Sequence, residues 1–95
     1  MPIHITGTGS FIPKNKIKND SFLNKKFFDS DGNMYPNTND DIIKKFQSIT
    51  GIVERRYADK NHNTSDLATF AAQQAIKDAN IDKESIDYII VAHNF

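Results

Sequence analysis

The sequence lacks cysteine and tryptophan, and its 95 residues include only four glycines and three prolines. Without cysteine the chain can form neither a disulfide framework nor a thiolate metal site, and nothing points to an oxidising compartment. No window approaches the ~18 apolar residues of a membrane span. The N-terminus also lacks a basic region followed by an apolar run, which would mark a secretory signal. These absences favour a cytoplasmic location, without a membrane partner.

An excess of either charge is also missing, because twelve Lys and Arg residues balance twelve Asp and Glu residues. A net charge of zero gives no electrostatic case for a nucleic-acid partner. The sequence is 38% hydrophobic and 25% charged, which is typical of a globular chain. A chain of this length buries only about 60 to 65% of its unfolded surface, so we expect marginal stability.

The N-terminal half predicts a strand, a short helix and a hairpin. Residues 3–12 alternate loosely around the small-residue centre TGTGS, which indicates a strand that opens a sheet. A phosphate loop at Gly7 and Gly9 is disfavoured, because Ile12 stands where the third glycine of that motif belongs. Residues 19–28 predict a short helix capped by Asn19 or Asp20. The sequence DSDGNMYP at 29–36 predicts a hairpin; its glycine is misplaced for a calcium loop, and no metal site is expected.

Two longer helices are predicted. In the first, Ile42, Phe46 and Ile49 fall on one face, and Gly51 ends the helix. A half-buried strand is expected over residues 52–58. The second helix covers residues 65–79, with Thr64 or Ser65 as N-cap and Asn80 as C-cap. Its predicted buried side consists of Leu67, Phe70, Ala71, Ile76 and Ala79. The small side chains expected to allow close approach of another backbone are Ala68, Ala71, Ala72 and Ala75.

The most apolar run, at residues 88–92, predicts a strand covered on both faces, as in parallel sheets. With the second helix and the N-terminal strand it would form a right-handed βαβ unit of a mixed α/β sheet. The predicted helices are too few to cover both faces of that sheet. We therefore expect residues 1–95 to be an incomplete N-terminal portion of a larger domain.

Several motifs in order carry a resemblance to a known family. They are IHITGTGSFIP at 3–13, ITGIVERRYA at 49–58, TSDLA at 64–68 with the alanines after it, and IDYIIVA at 86–92. Together they resemble the N-terminal part of the ketoacyl synthase III condensing enzymes of the thiolase superfamily. The resemblance implies a layered αβαβα thiolase-like fold when complete, and a homodimer.

The resemblance also implies an acyltransferase. A cysteine thiolate would take an acyl group from coenzyme A or an acyl carrier protein, and malonyl-acyl carrier protein would then lose carbon dioxide and attack it. The pathway would be fatty acid or related polyketide or aryl-polyene assembly, with thioesters as substrates and no permanently bound cofactor. The family's cysteine, histidine and asparagine would all lie beyond Phe95, so no catalytic residue is expected here and the 95 residues alone should be inactive.

The resemblance assigns residues of this chain to one kind of site, a contact with coenzyme A. Bacterial members carry a tryptophan and an arginine on the helix before the motif glycine, where this chain has Ile49 for the arginine and either Lys45 or Ile42 for the tryptophan. Both positions depart from the family, which favours an acyl carrier protein as donor over coenzyme A. Lys44 and Lys45 could meet a phosphate, but a solvated basic face is the simpler interpretation.

The remaining polar candidates are interpreted as structural. His93 and Asn94 adjoin each other at a strand end, where neighbouring side chains point to opposite faces and cannot easily converge on one substrate. His62 is expected in solvent within a charged loop. His4, on the opening strand, is expected to be structural. Glu54 and Arg55 should pair with other elements rather than with each other. The rival hypothesis from another class is a standalone α/β binding module that uses the 29–38 hairpin, which would have to bury residues 88–91 with its own helices.

Overall fold

The computed structural model describes residues 2–94, so the two ends of the predicted portion, Met1 and Phe95, lie outside the described residues. Contacts divide the chain into two units. The middle unit is Lys14–Tyr57, and the terminal unit consists of the chain up to Pro13 together with the chain from Ala58 onwards. No described helix is both long enough and apolar enough to cross a membrane.

The middle unit contains a two-stranded antiparallel sheet. Strand β1 (Asn15–Lys18) pairs with strand β2 (Glu54–Tyr57). Ile17 lies opposite Arg55, and this cross-strand pair is partly buried while the other six strand residues are exposed. Since residues that face each other across a ladder share one side of the sheet, the inward side is the one that carries Ile17 and Arg55.

The helix after β1 is shorter than the one that the sequence predicts over residues 19–28. It forms a 3-10 helix at Asn19–Phe22 whose N-cap is Lys18, without a side-chain capping bond. The expectation of a cap from Asn19 or Asp20 was wrong, because the Asn19 side chain binds elsewhere in the unit.

The predicted hairpin at 29–36 is confirmed. Phe28 and Met34 form an antiparallel bridge. Gly32 at the tip has a φ of 82°, the left-handed region that glycine enters without strain. Asp29 Oδ1 accepts from the backbone nitrogens of Asp31 and Asn33, both at 2.9 Å, so this carboxylate organises the turn.

Helix α1 (Asn39–Thr50) ends at Gly51, which has a φ of 69°, as predicted. Its N-cap is Thr38, whose Oγ1 accepts from the Asp41 nitrogen. Ile42 and Ile43 are the buried residues, each only 9% exposed, whereas the Ile49 side chain is 72% exposed. Of the three residues predicted to share one face, only Ile42 is therefore buried, since Phe46 is also 49% exposed.

The terminal unit is built on helix α2 (Thr64–Ala79). Its N-cap is Asn63 rather than the predicted Thr64 or Ser65: Asn63 Oδ1 accepts from the Asp66 nitrogen at 3.1 Å, and Asp66 Oδ2 accepts from the Asn63 nitrogen at 2.9 Å. This reciprocal pair is a capping box. Asn80, with a φ of 53°, is the predicted C-cap. The residues of the predicted inner side are all partly buried: Leu67, Phe70, Ala71, Ile76 and Ala79.

Residues 3–12 do not form the predicted strand; they run against α2 instead. A Cβ placed on Gly7 would lie 2.6 Å from the Ala75 oxygen, and one placed on Gly9 would lie 2.5 Å from the Ala71 oxygen. The Thr8 nitrogen donates to Asp78 Oδ2 at 3.0 Å. The expectation that the helix alanines admit a second backbone is thus confirmed, and the backbone is that of the N-terminal segment.

The predicted strand at 88–92 is also not formed among the described residues. After a 3-10 turn at Lys83–Ser85, residues 87–94 form no ladder and make no hydrogen bond within the described chain. Tyr88, Ile89 and Ile90 are 88%, 82% and 95% exposed. The predicted βαβ unit is therefore absent from the described residues, because a strand requires a hydrogen-bonded neighbour and neither extended segment has one. The described chain is mixed α/β, with two helices and one two-stranded antiparallel sheet.

Candidate functional site

The outward surface of α1 holds the two residues assigned to a coenzyme A contact. Lys45 and Ile49 are one helical turn apart, a spacing that places side chains next to each other on one face. Both are exposed. Together they present an ammonium group beside an apolar side chain, and neither has an aromatic ring on which a nucleotide base could stack.

Ile42, the other residue considered for this contact, lies on the same helical face, three residues before Lys45, but it is only 9% exposed. The structure therefore leaves Lys45 and Ile49 accessible and buries Ile42. A ligand at this surface would meet Lys45 and Ile49 rather than the Ile42 side chain.

Lys44, beside this pair, is engaged by an acidic residue of the same helix. Its Nζ lies 3.0 Å from Asp40 Oδ2, an i,i+4 ion pair in which both side chains are largely exposed. The hydrogen bond and the charge of Asp40 raise the pKa of Lys44 above its ordinary value. Exposed pairs of this kind contribute little to stability, so the interpretation of a solvated basic face agrees with the geometry.

The histidines do not form a catalytic or metal-binding cluster. His4 and His93 are exposed, and no group of three or more potential metal ligands occurs in residues 2–94. His62 is partly buried, with its ring centroid 5.1 Å from that of Phe70 and 6.4 Å from that of Phe11. The expectation of a solvated His62 was wrong, because the loop before α2 brings the imidazole against these two rings.

A polar cluster in the middle unit was not predicted as a site. Arg55 Nη2 donates to Asn19 Oδ1 at 2.6 Å, and the guanidinium carbon lies 4.9 Å from the centre of the Phe22 ring. Asn19 Nδ2 donates in turn to Gln47 Oε1 and to the Ile52 carbonyl oxygen. Arg55 therefore pairs with another element and not with Glu54, as expected. The period-two alternation along β2 could have placed Arg55 on the inward side of the sheet. The apolar residues of this strand were instead expected to face inward.

The Arg55 side chain borders a cavity of about 240 Å³. Most of the lining is apolar, and the polar groups stand among aromatic rings and isoleucines. Arg55 Nη1 is buried and has no hydrogen-bond partner. The residues that line this cavity are Asn19, Phe22, Phe27, Ile43, Phe46, Thr50, Ile52 and Arg55.

The terminal unit contains a larger open groove, of about 940 Å³, between α2 and the extended segment after it. One side is the small-residue surface of α2 at Ala68 and Ala72, and the other includes Ile89 and Ile90. The groove is therefore bordered by two highly exposed apolar residues, Ile89 and Ile90, at 82% and 95% exposure.

Comparison with known proteins shows what the chain is similar to. No protein-family model matches the chain. It is 43% identical over 90 residues to a protein described as Beta-ketoacyl-[acyl-carrier-protein] synthase III from Fusobacterium nucleatum, an alignment that covers 95% of the chain and 24% of that protein. Proteins with the same description from Staphylococcus haemolyticus and Caldanaerobacter subterraneus are 41% and 43% identical, over 97% and 93% of the chain and 25% and 23% of their own lengths.

The chain is homologous to the N-terminal quarter of the synthase III proteins. This confirms the resemblance found in the motifs, and it implies a portion of a thiolase-like fold. The chain spans about a quarter of the length of the synthase III proteins that it matches. Because the 95 residues contain no cysteine, the nucleophile implied for the synthase III reaction is not among them.

Proposed function

We propose that this chain is the N-terminal part of a synthase III-type acyltransferase. The complete enzyme would catalyse decarboxylative Claisen condensation of an acyl thioester with malonyl-acyl carrier protein, in fatty acid or related polyketide or aryl-polyene biosynthesis. The acyl group would be held on a cysteine thiolate outside these residues; loss of carbon dioxide from the malonyl group would generate the carbanion that attacks the acyl carbonyl and releases the thiolate. Homology over nearly the whole chain supports this proposal.

The observation that carries the proposal over a standalone binding module is the exposure of residues 88–91. Tyr88, Ile89, Ile90 and Val91 are 88%, 82%, 95% and 51% exposed. A module that functions alone must cover such a run, because a large exposed apolar patch promotes association. An exposed run is what a portion of a larger sheet would leave for further strands and helices to cover.

Within the complete enzyme, residues 1–95 would act as scaffold and would form part of the entrance for the thioester substrates. Lys45 and Ile49 would lie where the nucleotide end of coenzyme A or the phosphopantetheine of an acyl carrier protein approaches. Without a stacking arginine or tryptophan, this surface favours the carrier protein as acyl donor. We further propose a cytoplasmic homodimer without a permanently bound cofactor.

The deciding experiment is the intact mass of the natural gene product before and after brief treatment with iodoacetamide. A mass several times 10.8 kDa with one rapidly alkylated thiol supports the condensing enzyme, since only an activated thiolate reacts quickly. A mass of 10.8 kDa without an adduct refutes it and favours a binding module that acts through the 29–38 hairpin. Release of carbon dioxide from malonyl-acyl carrier protein, measured with the same sample, tests the reaction itself.

A further inference from the structure

The guanidinium of Arg55 lacks a counter-ion in the described part of the chain. Its Nη2 is bound to the neutral Asn19 side chain, and its Nη1 is buried without an acceptor. Lys44 and Asp40 form an ion pair elsewhere in the unit, on the exposed surface of α1. A buried charge normally has an oppositely charged partner, because the loss of hydration is otherwise uncompensated.

The surroundings of Arg55 make water a poor substitute for that partner. The Phe22 ring stacks near the guanidinium carbon at 4.9 Å, and Phe27 and Phe46 meet edge to face with centroids 5.6 Å apart. All three rings line the cavity of about 240 Å³ that Arg55 borders. The space therefore has an aromatic wall and one cationic end, which matches an amphiphilic anion better than a cluster of waters.

We propose that this cavity binds a small carboxylate that carries an aromatic or branched aliphatic body. The carboxylate would accept from the Arg55 guanidinium, and the apolar body would lie among the three phenylalanines. Arginine is suited to this role because its planar donors match the two oxygens of a carboxylate. The cavity is smaller than those that hold drug-sized ligands, so the ligand has roughly ten non-hydrogen atoms.

The site differs from the surface assigned to the thioester substrates. Lys45 and Ile49 are exposed on α1, whereas Ile43 and Phe46 of the same helix line the cavity. The acceptor groups of Thr50 and Asn19 are already committed: Thr50 Oγ1 accepts from the Ile52 nitrogen, and Asn19 Oδ1 accepts from Arg55. Arg55 is thus the residue that selects for an anion, and the proposal does not depend on condensing activity.

The test uses the natural gene product and phenylacetate as probe, followed by the chemical shifts of the Asn19 side-chain amide and the Arg55 side chain. A ligand of this size binds with a Kd in about the millimolar range. We expect saturable shifts at these two residues and at least tenfold weaker binding of phenylacetamide, which has the same shape without the charge. Equal binding of the acid and the amide, shifts confined to other residues, or no shift would overturn the proposal.

A matched pair of arginine variants adds a second readout. Arg55→Lys keeps the charge but loses the planar donors, and we expect it to weaken phenylacetate binding at least tenfold. Arg56→Lys changes the next residue, on the exposed side of β2, and should leave binding within twofold. Equal effects of the two variants would contradict the assignment. If Arg55→Lys does not fold, the comparison of acid with amide still decides, because it uses the unaltered protein.

Discussion

Arg55 and Asn19, which are 36 positions apart in the chain, are joined by a hydrogen bond of 2.6 Å from Arg55 Nη2 to Asn19 Oδ1. The same asparagine donates to Gln47 Oε1 at 3.2 Å and to the Ile52 oxygen at 3.0 Å. One side chain therefore connects β2, the end of α1 and the chain that follows α1. These bonds fix the inward side of the middle unit.

Asn19→Ala should destabilise the protein by about 1.5 to 3 kcal/mol, because it leaves the second terminal nitrogen of Arg55 without an acceptor. The free energy of unfolding in urea measures this loss. Asn15→Ala is the matched control, since Asn15 is an exposed asparagine of β1, and it should cost less than about 0.5 kcal/mol. Equal costs would show that the Asn19 bonds add nothing to stability.

Asn63→Ala should lower the free energy of unfolding by about 1 kcal/mol, because it removes the acceptor for the Asp66 nitrogen at the start of α2. Thr64→Ala changes the neighbouring residue and should have an effect within about 0.5 kcal/mol. Thermal unfolding followed by circular dichroism distinguishes the two variants. A larger loss for Thr64→Ala would mean that α2 begins one residue later than Asn63 indicates.

Gly9→Ala should destabilise the terminal unit by about 1 to 3 kcal/mol or more, because the added Cβ meets the backbone of α2 at Ala71 and Ala75. Gly32 provides a contrast, since open space surrounds its Cβ position but its φ is positive. Gly32→Asn should therefore be nearly neutral, because asparagine tolerates this conformation, whereas Gly9→Asn should be as damaging as Gly9→Ala. Unfolding in urea is again the measurement, and similar results for Gly9→Asn and Gly32→Asn would contradict the packing described.

The pKa of Lys44 should fall when its partner is removed, because Asp40 raises that pKa through a hydrogen bond and through charge. Asp40→Asn should return the pKa towards its ordinary value, while Asp41→Asn, which acts through charge alone, should lower it less. NMR titration of the lysine side chains measures both. Since the pKa is raised on folding, the ion pair stabilises the helix fully below the ordinary lysine pKa and is lost as the pH rises through the raised value. No change in Asp40→Asn would refute the pairing.

Ile90→Lys should leave the free energy of unfolding of the 95-residue chain within about 0.5 kcal/mol, since Ile90 is 95% exposed. It should also reduce self-association, measured by light scattering, because it interrupts the exposed apolar run. Ile42→Lys, at a buried position, should prevent folding. If Ile90→Lys were as damaging as Ile42→Lys, residues 88–91 would be covered within the 95 residues.

The features that could be predicted from the residues are those that depend on backbone conformation at single positions. The ends of α1 and α2 at Gly51 and Asn80, and the hairpin around Gly32, each depend on a residue that enters the left-handed region at little cost. Such conformations are fixed by neighbours in sequence. The motif order added the resemblance to the synthase III proteins, which the homology confirms.

Long-range packing decided the rest. A β-branched run at 88–92 determines that the segment is extended and apolar, but a ladder needs a neighbouring strand, which the described residues do not provide. The inward position of Arg55 likewise depends on Ile17, opposite it across the sheet, and on the Asn19 side chain. The sequence by itself therefore determined the turns, the C-caps of both helices, the inner side of α2 and the resemblance to the synthase III proteins. Only the tertiary structure decided that Arg55 lies on the inward side and that residues 88–92 stay unpaired, because both depend on residues far apart in the chain.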